Sequence, residues 1–222
     1  MSTRRGTRER RCPNCKVHQA NCFCERISPI QLKTRVSVIV HKNESFLPSN
    51  TAHLVHKSLA NAAEFERGHK DRYLQESFIN PSNYQSLYLF PSEDATELTP
   101  ELLAQYVKPI NLIVPDGSWR QARKVHRREP LLEDVPRIKL TLNQKTEYQL
   151  RRQKHEFGLC TFEAIAHAIK VIEGGTIFDQ LIQNFRIFHE AHLKNRGVFE
   201  KEKLKMGYTF VRPASSFHKA KD

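Results

Sequence analysis

The chain contains no uninterrupted apolar run near the roughly 18 to 20 residues that would span a bilayer, so no membrane segment is expected. Its opening residues, MSTRRGTRERR, lack the apolar stretch of a secretory signal, and this predicts a cytoplasmic protein. Neither G-x-G-x-x-G nor G-x-x-x-x-G-K-[ST] occurs, so a common dinucleotide site and a P-loop are both unexpected. Internal repeats are absent and tryptophan occurs once, at Trp119. Cysteine is sparse, five in 222 residues. In a reducing compartment such residues serve metal binding or catalysis rather than disulfides. Acidic residues are few beside the basic ones, 24 against 36, leaving a net charge of +12.

What is present is unevenly placed. Arg4, Arg5, Arg8, Arg10, Arg11 and Lys16 crowd the start. Arg120, Arg123, Lys124, Arg127 and Arg128 form a second cluster, Arg151, Arg152 and Lys154 a third, and a lysine-rich tail ends the chain. Clusters of this kind are the electrostatic footprint of a nucleic-acid binder, where each neutralised phosphate releases counterions. A merely solubilising positive surface is the alternative.

Four of the five cysteines lie in CPNCKVHQANCFC, spaced C-x2-C-x6-C-x-C as Cys12, Cys15, Cys22 and Cys24. Two tight turns carrying four thiolates suit one tetrahedral structural Zn²⁺. Pro13 and Asn14 are natural turn residues. A redox role for Cys12 and Cys15 is the competing reading, but no thioredoxin-like pattern surrounds them.

Beyond the cysteines, strands and helices alternate. TRVSVIVH (34–41), SLYLF (86–90), INLIV (110–114) and PRIKLTL (136–142) read as strands. TAHLVHKSLANAAEFERG (51–68) reads as one helix ending at Gly68, with Asn50 as its N-cap. ELTPELLAQYV (97–107), the segment from Ser118, and two segments from Cys160 onward complete the helices. The pattern predicts an α/β domain with a mostly parallel sheet and flanking helices. The organisation expected is a basic arm and ribbon (1–30), the α/β domain (31–197), and a basic tail of little periodicity (198–222). Ligands of such sheets bind beyond the carboxyl ends of the strands. His41, Pro91 to Asp94, and Asp116 to Trp119 each follow such an end.

The segments CPNCKVHQANCFC, HKNES…SNTAHL, LFPSEDA, VPDGSWRQARK and LRRQKHEFGLCTFEA, in this order, resemble the DTW-domain family of tRNA-uridine aminocarboxypropyltransferases. PDGSW is similar to the family's D-x-[ST]-W signature, and the likeness extends over roughly residues 12 to 170. The family usually has Thr at Ser118 and Ser-Thr at Cys160-Thr161. The resemblance implies a SPOUT-like, knotted domain. It also implies transfer of the 3-amino-3-carboxypropyl group of S-adenosylmethionine (SAM) to N3 of a tRNA uridine.

Under that resemblance Asp116 is the candidate base for the N3 proton, with His41 as a possible aid to proton transfer. Trp119 is either a stacking face for a base or a core anchor beside Ala122 and Val125. Pro91, Glu93 and Asp94 are candidates for the ribose of SAM, and Ser118 belongs to the same turn. Gly158 permits close backbone approach, while Cys160, Thr161 and Glu163 open a helix whose amides favour an anionic group. Arg120, Arg123, Arg127, Arg151 and Arg152 are candidate tRNA-phosphate contacts. Two other functions compete: a SAM-dependent RNA methyltransferase of the same fold, and a non-catalytic zinc-ribbon RNA-binding protein. No obligate protein partner is indicated and the oligomeric state is open; a variable-loop uridine is favoured over one in the D-loop.

Overall fold

The computed structural model describes residues 10–70, 73–142, 146–150 and 158–199. Six strands form one sheet: β1 (Arg35–His41), β2 (Ala62–Arg67), β3 (Gln85–Leu89), β4 (Thr96–Glu97), β5 (Ile110–Asp116) and β6 (Arg137–Lys139). They lie in the order β2-β1-β5-β3-β6-β4, and every pairing is parallel. The central strands β1 and β5 are buried along nearly their whole length, as valine- and isoleucine-rich runs covered on both faces must be. One direction for all strands places all their carboxyl ends on a single edge. The sequence-based fold class is therefore correct.

Alternation along the strands sends side chains to two separate cores. Val36, Val38 and Val40 of β1, with Ile110, Leu112 and Val114 of β5, pack on one side. There they meet α1 (Ala52–Ser58), α5 (Thr161–Glu173) and α6 (Gly175–Asn195). Ile39, Tyr88 and Ile113 point the other way, against α2 (Glu76–Ile79) and α4 (Trp119–Arg128). A short α3 (Pro100–Leu103) is capped by Thr99, whose hydroxyl accepts from Leu102 N at 3.2 Å.

One expected helix divides. Residues 51–68 form α1 and then β2, which pairs with β1 from Val36↔Ala62 to His41↔Arg67. The sequence AAEFER alternates as well as it winds: Ala62 packs on the α1 side, whereas Ala63 and Phe65 pack on the α4 side. Pairing with β1 satisfies a row of backbone groups, which outweighs helix propensity over six residues. Gly68 then closes a strand rather than a helix, at φ +106°. The ELTPELLAQYV segment is also shorter as a helix, because Thr96–Glu97 joins the sheet beside β6.

The four-cysteine segment is built into the main core. Phe23 is 1% exposed and meets Phe188 of α6 edge-on at 5.6 Å, and Val17 is fully buried. Burying Phe23 contributes roughly 2 to 3 kcal/mol. Arg26 pairs with Glu190 at 3.1 Å, and Asn195 Oδ1 accepts from His18 N at 2.9 Å. No helix among the described residues is long and apolar enough to cross a membrane. Nearly all of the basic tail and residues 151–157 lie outside the described residues.

Candidate active site

Asp116 ends β5, and its side chain takes the same face as Val114, towards α1 and α5. The residue is 6% exposed. Asn50 donates from Nδ2 to its Oδ2 at 2.7 Å, and Thr161 donates from Oγ1 to its Oδ1 at 2.6 Å. Asn50 also donates to Glu44 O at 3.2 Å and accepts from Ala52 N at 2.8 Å. Its carboxamide therefore bonds the first amide of α1 while holding the carboxylate, but the N-cap position falls to Thr51, one residue after the expected Asn50. Thr161 is the first residue of α5, but its hydroxyl is turned to Asp116 instead of capping the helix. Three segments distant in sequence thus converge on one carboxylate at the sheet's carboxyl edge.

Cys160 and Glu163 sit beside this junction. The Glu163 carboxylate accepts from Cys160 N at 3.0 Å, from Glu147 N at 2.7 Å and from the Thr146 hydroxyl. It joins segment 146–150 to the first turn of α5, so both its oxygens have internal partners. Burial, and then the Glu163 carboxylate, push the Cys160 thiol well up, which keeps it protonated near neutral pH. Gly158, two residues before Cys160, is buried.

His41 lies on the opposite face of the sheet from Asp116. Its Nδ1 accepts from Asn43 N at 3.1 Å and faces Gln121 Nε2 at 3.0 Å. Gln121 is oriented by its other end, since Oε1 accepts from Ser118 N at 2.6 Å and from the Ser118 hydroxyl at 2.7 Å. The amide NH₂ must then face His41, which leaves the ring proton on Nε2. Burial lowers the His41 pKa, so the neutral ring is favoured. Ser118 is the N-cap of α4, and its side chain is committed to that capping box. Gly117 makes this turn possible: at φ +152°, a Cβ there would stand 3.0 Å from Gln121 Oε1.

A cavity of about 910 Å³ opens on the α4 face between the end of β3 and α4. Pro91, Glu93, Asp94, Trp119, Arg123 and Arg127 line it together with His126. Trp119 is 37% exposed, so the core-anchor reading fails; it shares a helix face with Arg123 and Arg127, whereas Ala122 and Val125 are buried. Asp94 pairs with Arg137 at 3.0 Å, and a hydrogen bond from Ser92 lowers its pKa first of all. Beneath the cavity His126 stacks on Phe90 at 4.4 Å, and burial lowers its pKa. Its Nδ1 and the buried Tyr88 hydroxyl have no hydrogen-bond partner among the described residues.

The expected site residues therefore form two groups, separated by the sheet. Asp116, Cys160, Thr161 and Glu163 are together on the α5 side; Pro91, Glu93, Asp94, Trp119, Arg123 and Arg127 are together on the α4 side. Arg120 is exposed on α4. Arg151 and Arg152 lie outside the described residues. Asn50 as a carboxylate clamp and Gln121 as the histidine's partner were not foreseen; the capping-box spacing from Ser118 to Gln121 was the one available signal.

The four ribbon sulfurs lie within 4.8 Å of one another, with Cys12–Cys24 and Cys15–Cys22 at 3.8 Å. A tetrahedron with Zn–S bonds of about 2.3 Å has edges of about 3.8 Å, so the set fits Zn²⁺. The thiols share their protons unequally. A hydrogen bond from the Cys15 backbone lowers Cys12 to about 6, while burial pushes Cys24 up to about 12.

Residues 9–193 match the DTW domain, and that span covers most of the chain. This chain belongs to the DTW-domain family. The match takes in the ribbon, β1 to β6 and most of α6. Among curated relatives, the DTW chain is 26% identical over 178 residues to tRNA-uridine aminocarboxypropyltransferase 2 of Drosophila melanogaster, covering 75% of this chain and 68% of the relative. It is 24% identical over 196 residues to the Mus musculus protein of that name, covering 82% and 65%. To the Macaca fascicularis protein it is 22% identical over 214 residues, covering 91% and 70%. The chain thus spans about two thirds of the length of these relatives. A solved structure, the SAM-dependent rRNA:acp-transferase Tsr3 from Vulcanisaeta distributa, is similar with a TM-score of 0.47 and 19% identity. That likeness covers 79% of this chain and 90% of the other.

Proposed function

We propose that this DTW-domain protein transfers the 3-amino-3-carboxypropyl group of SAM to N3 of a tRNA uridine. The three relatives named for that activity support the reading along most of the chain. The observation that carries it in the fold is the buried carboxylate of Asp116, held from two sides at the sheet's carboxyl edge. SAM, when bound, supplies the electrophilic carbon and departs as methylthioadenosine. The donor set suits it: a buried carboxylate complements a sulfonium, and the amides opening α5 complement a carboxylate.

In this reading Asp116 accepts the N3 proton of uridine, and Asn50 and Thr161 hold its oxygens in register. Gly158 and Cys160 bring the backbone before α5 close to the bound donor, and Glu163 fixes that backbone. His41 is a positioning residue: through Gln121 it secures the turn between β5 and α4. Trp119 offers its exposed ring to a base, beside Pro91, Glu93 and Asp94, and Arg120, Arg123 and Arg127 meet phosphates. The ribbon (1–30), catalytic domain (31–197) and tail (198–222) act as one cytoplasmic tRNA-modifying unit, with a variable-loop uridine as target.

Incubating the purified protein with SAM and tRNA tests the assignment. Methylthioadenosine release with a mass increase on uridine is the expected result. S-adenosylhomocysteine instead identifies a methyltransferase, and tRNA binding with no SAM turnover identifies a non-catalytic binder.

A further inference from the structure

A second large cavity lies on the ribbon side of the molecule, with the zinc ligands Cys12 and Cys15 in its floor. It has a volume of about 1010 Å³ and runs between the ribbon and the segment leading into α1. Arg11, Lys16, His53, His56 and Lys57 stand in its walls, with Phe46 beside them. No carboxylate lines it among the described residues. Phe46 is 71% exposed, so its ring is presented to solvent and not to the core.

Part of that positive charge has a local use. Lys57 Nζ lies 4.0 Å from Cys24 Sγ, where it would offset the negative charge that the sulfurs carry when they hold Zn²⁺. His56 pairs with Glu64 at 3.2 Å. Arg11 and Lys16 are different, because among the described residues each donates to a ribbon carbonyl and to no carboxylate, Lys16 O and Pro13 O respectively. A carbonyl leaves the net charge in place. Among the described residues, two cations without a carboxylate partner therefore share a concave wall with an exposed aromatic ring. The wall is also connected to Asp116. Ser45, Phe46 and Pro48 line the groove, while Glu44 and Asn50, at the two ends of the same segment, belong to the clamp on that carboxylate.

We infer that this groove docks a single-stranded stretch of the tRNA, with a base stacked on Phe46 and phosphates on Arg11 and Lys16. The inference rests on the tRNA reading proposed above and adds a binding site to it. Cations beside an open aromatic face are the elements of single-strand recognition. A duplex keeps its bases stacked on one another and has none to give Phe46.

The test compares Phe46→Ala and Lys16→Gln with the unaltered protein, each checked for zinc content and SAM affinity. Phe46→Ala is expected to weaken tRNA binding about tenfold, the loss of one stacked base. Lys16→Gln is expected to flatten the dependence of log affinity on log salt by roughly 0.7, as for one single-strand phosphate contact. Zinc content and SAM affinity stay as they were in both. Unchanged tRNA affinity and salt slope in both variants overturn the inference, as does displacement of tRNA by poly-glutamate as readily as by a uridine-rich oligonucleotide. An unaltered protein that releases no methylthioadenosine refutes the catalytic reading instead, and the binding differences still decide the groove.

Discussion

Asp116→Asn is the perturbation that separates chemistry from architecture at the β5 end. The substitution keeps size and shape. The new carbonyl oxygen can still accept from Asn50 or Thr161, and the Thr161 hydroxyl can rotate to accept from the new amide. What disappears is the charge-assisted character of two hydrogen bonds, now 2.7 and 2.6 Å long. Bonds to a charged group contribute about 1.5 to 3 kcal/mol, against about 0.5 to 1.5 for neutral ones, so the loss is about 2 kcal/mol in all. For a domain of this size that lowers Tm by roughly 4 to 8 °C, and the protein remains folded at 25 °C. Loss of a general base costs far more in rate, about 10² to 10⁴-fold. Methylthioadenosine release and Tm are to be measured on one preparation, with tRNA affinity as a control. Raising the pH should restore part of the rate, because hydroxide can then ionise N3 without the carboxylate. A folded Asp116→Asn protein that turns over at the normal rate refutes the base assignment and leaves Asp116 as a clamp.

Metal analysis is expected to find one zinc per chain, and its removal by a strong chelator should lower the Tm of the whole domain, since Val17 and Phe23 share the core with α6; a metal-free protein with unchanged Tm would contradict this. Arg123→Ala with Arg127→Ala should weaken tRNA binding and reduce the salt slope by roughly one unit per lost phosphate contact, and an unaltered slope would place both side chains away from RNA. Burial lowers His192 to about 3, so below its ordinary pKa the unfolded chain binds a proton that the folded chain does not. Stability should therefore fall as the pH drops below about 6.5, by roughly 2 kcal/mol at pH 5, with a flat course above. Denaturant titrations of the unaltered protein and of His192→Phe measure that share directly, and equal acid sensitivity in the two would refute it.

The pattern of residues 34–41, 86–90 and 110–114 was enough to place β1, β3 and β5, because short apolar runs rich in β-branched or aromatic residues and bounded by turn residues favour strands. The cysteine spacing sufficed for the metal cluster, since four thiols within thirteen residues can hardly avoid one another. The DGSW turn and the amphipathic pattern after it marked the carboxyl edge of the sheet and the start of α4. Tertiary structure alone decided the rest. The sequence AAEFER suits a helix or a strand, and only the open edge of β1 selects the strand. Asn50 reaches Asp116 across 66 residues and Thr161 across 45, separations at which local pattern carries no information. The division of the candidate residues between two faces follows from strand parity. His41 and Asp116 both end central strands, but His41 continues the row of Ile39 and Asp116 the row of Val114. A one-residue difference in register sends one towards α4 and the other towards α5, and that register exists only once β1 and β5 are paired.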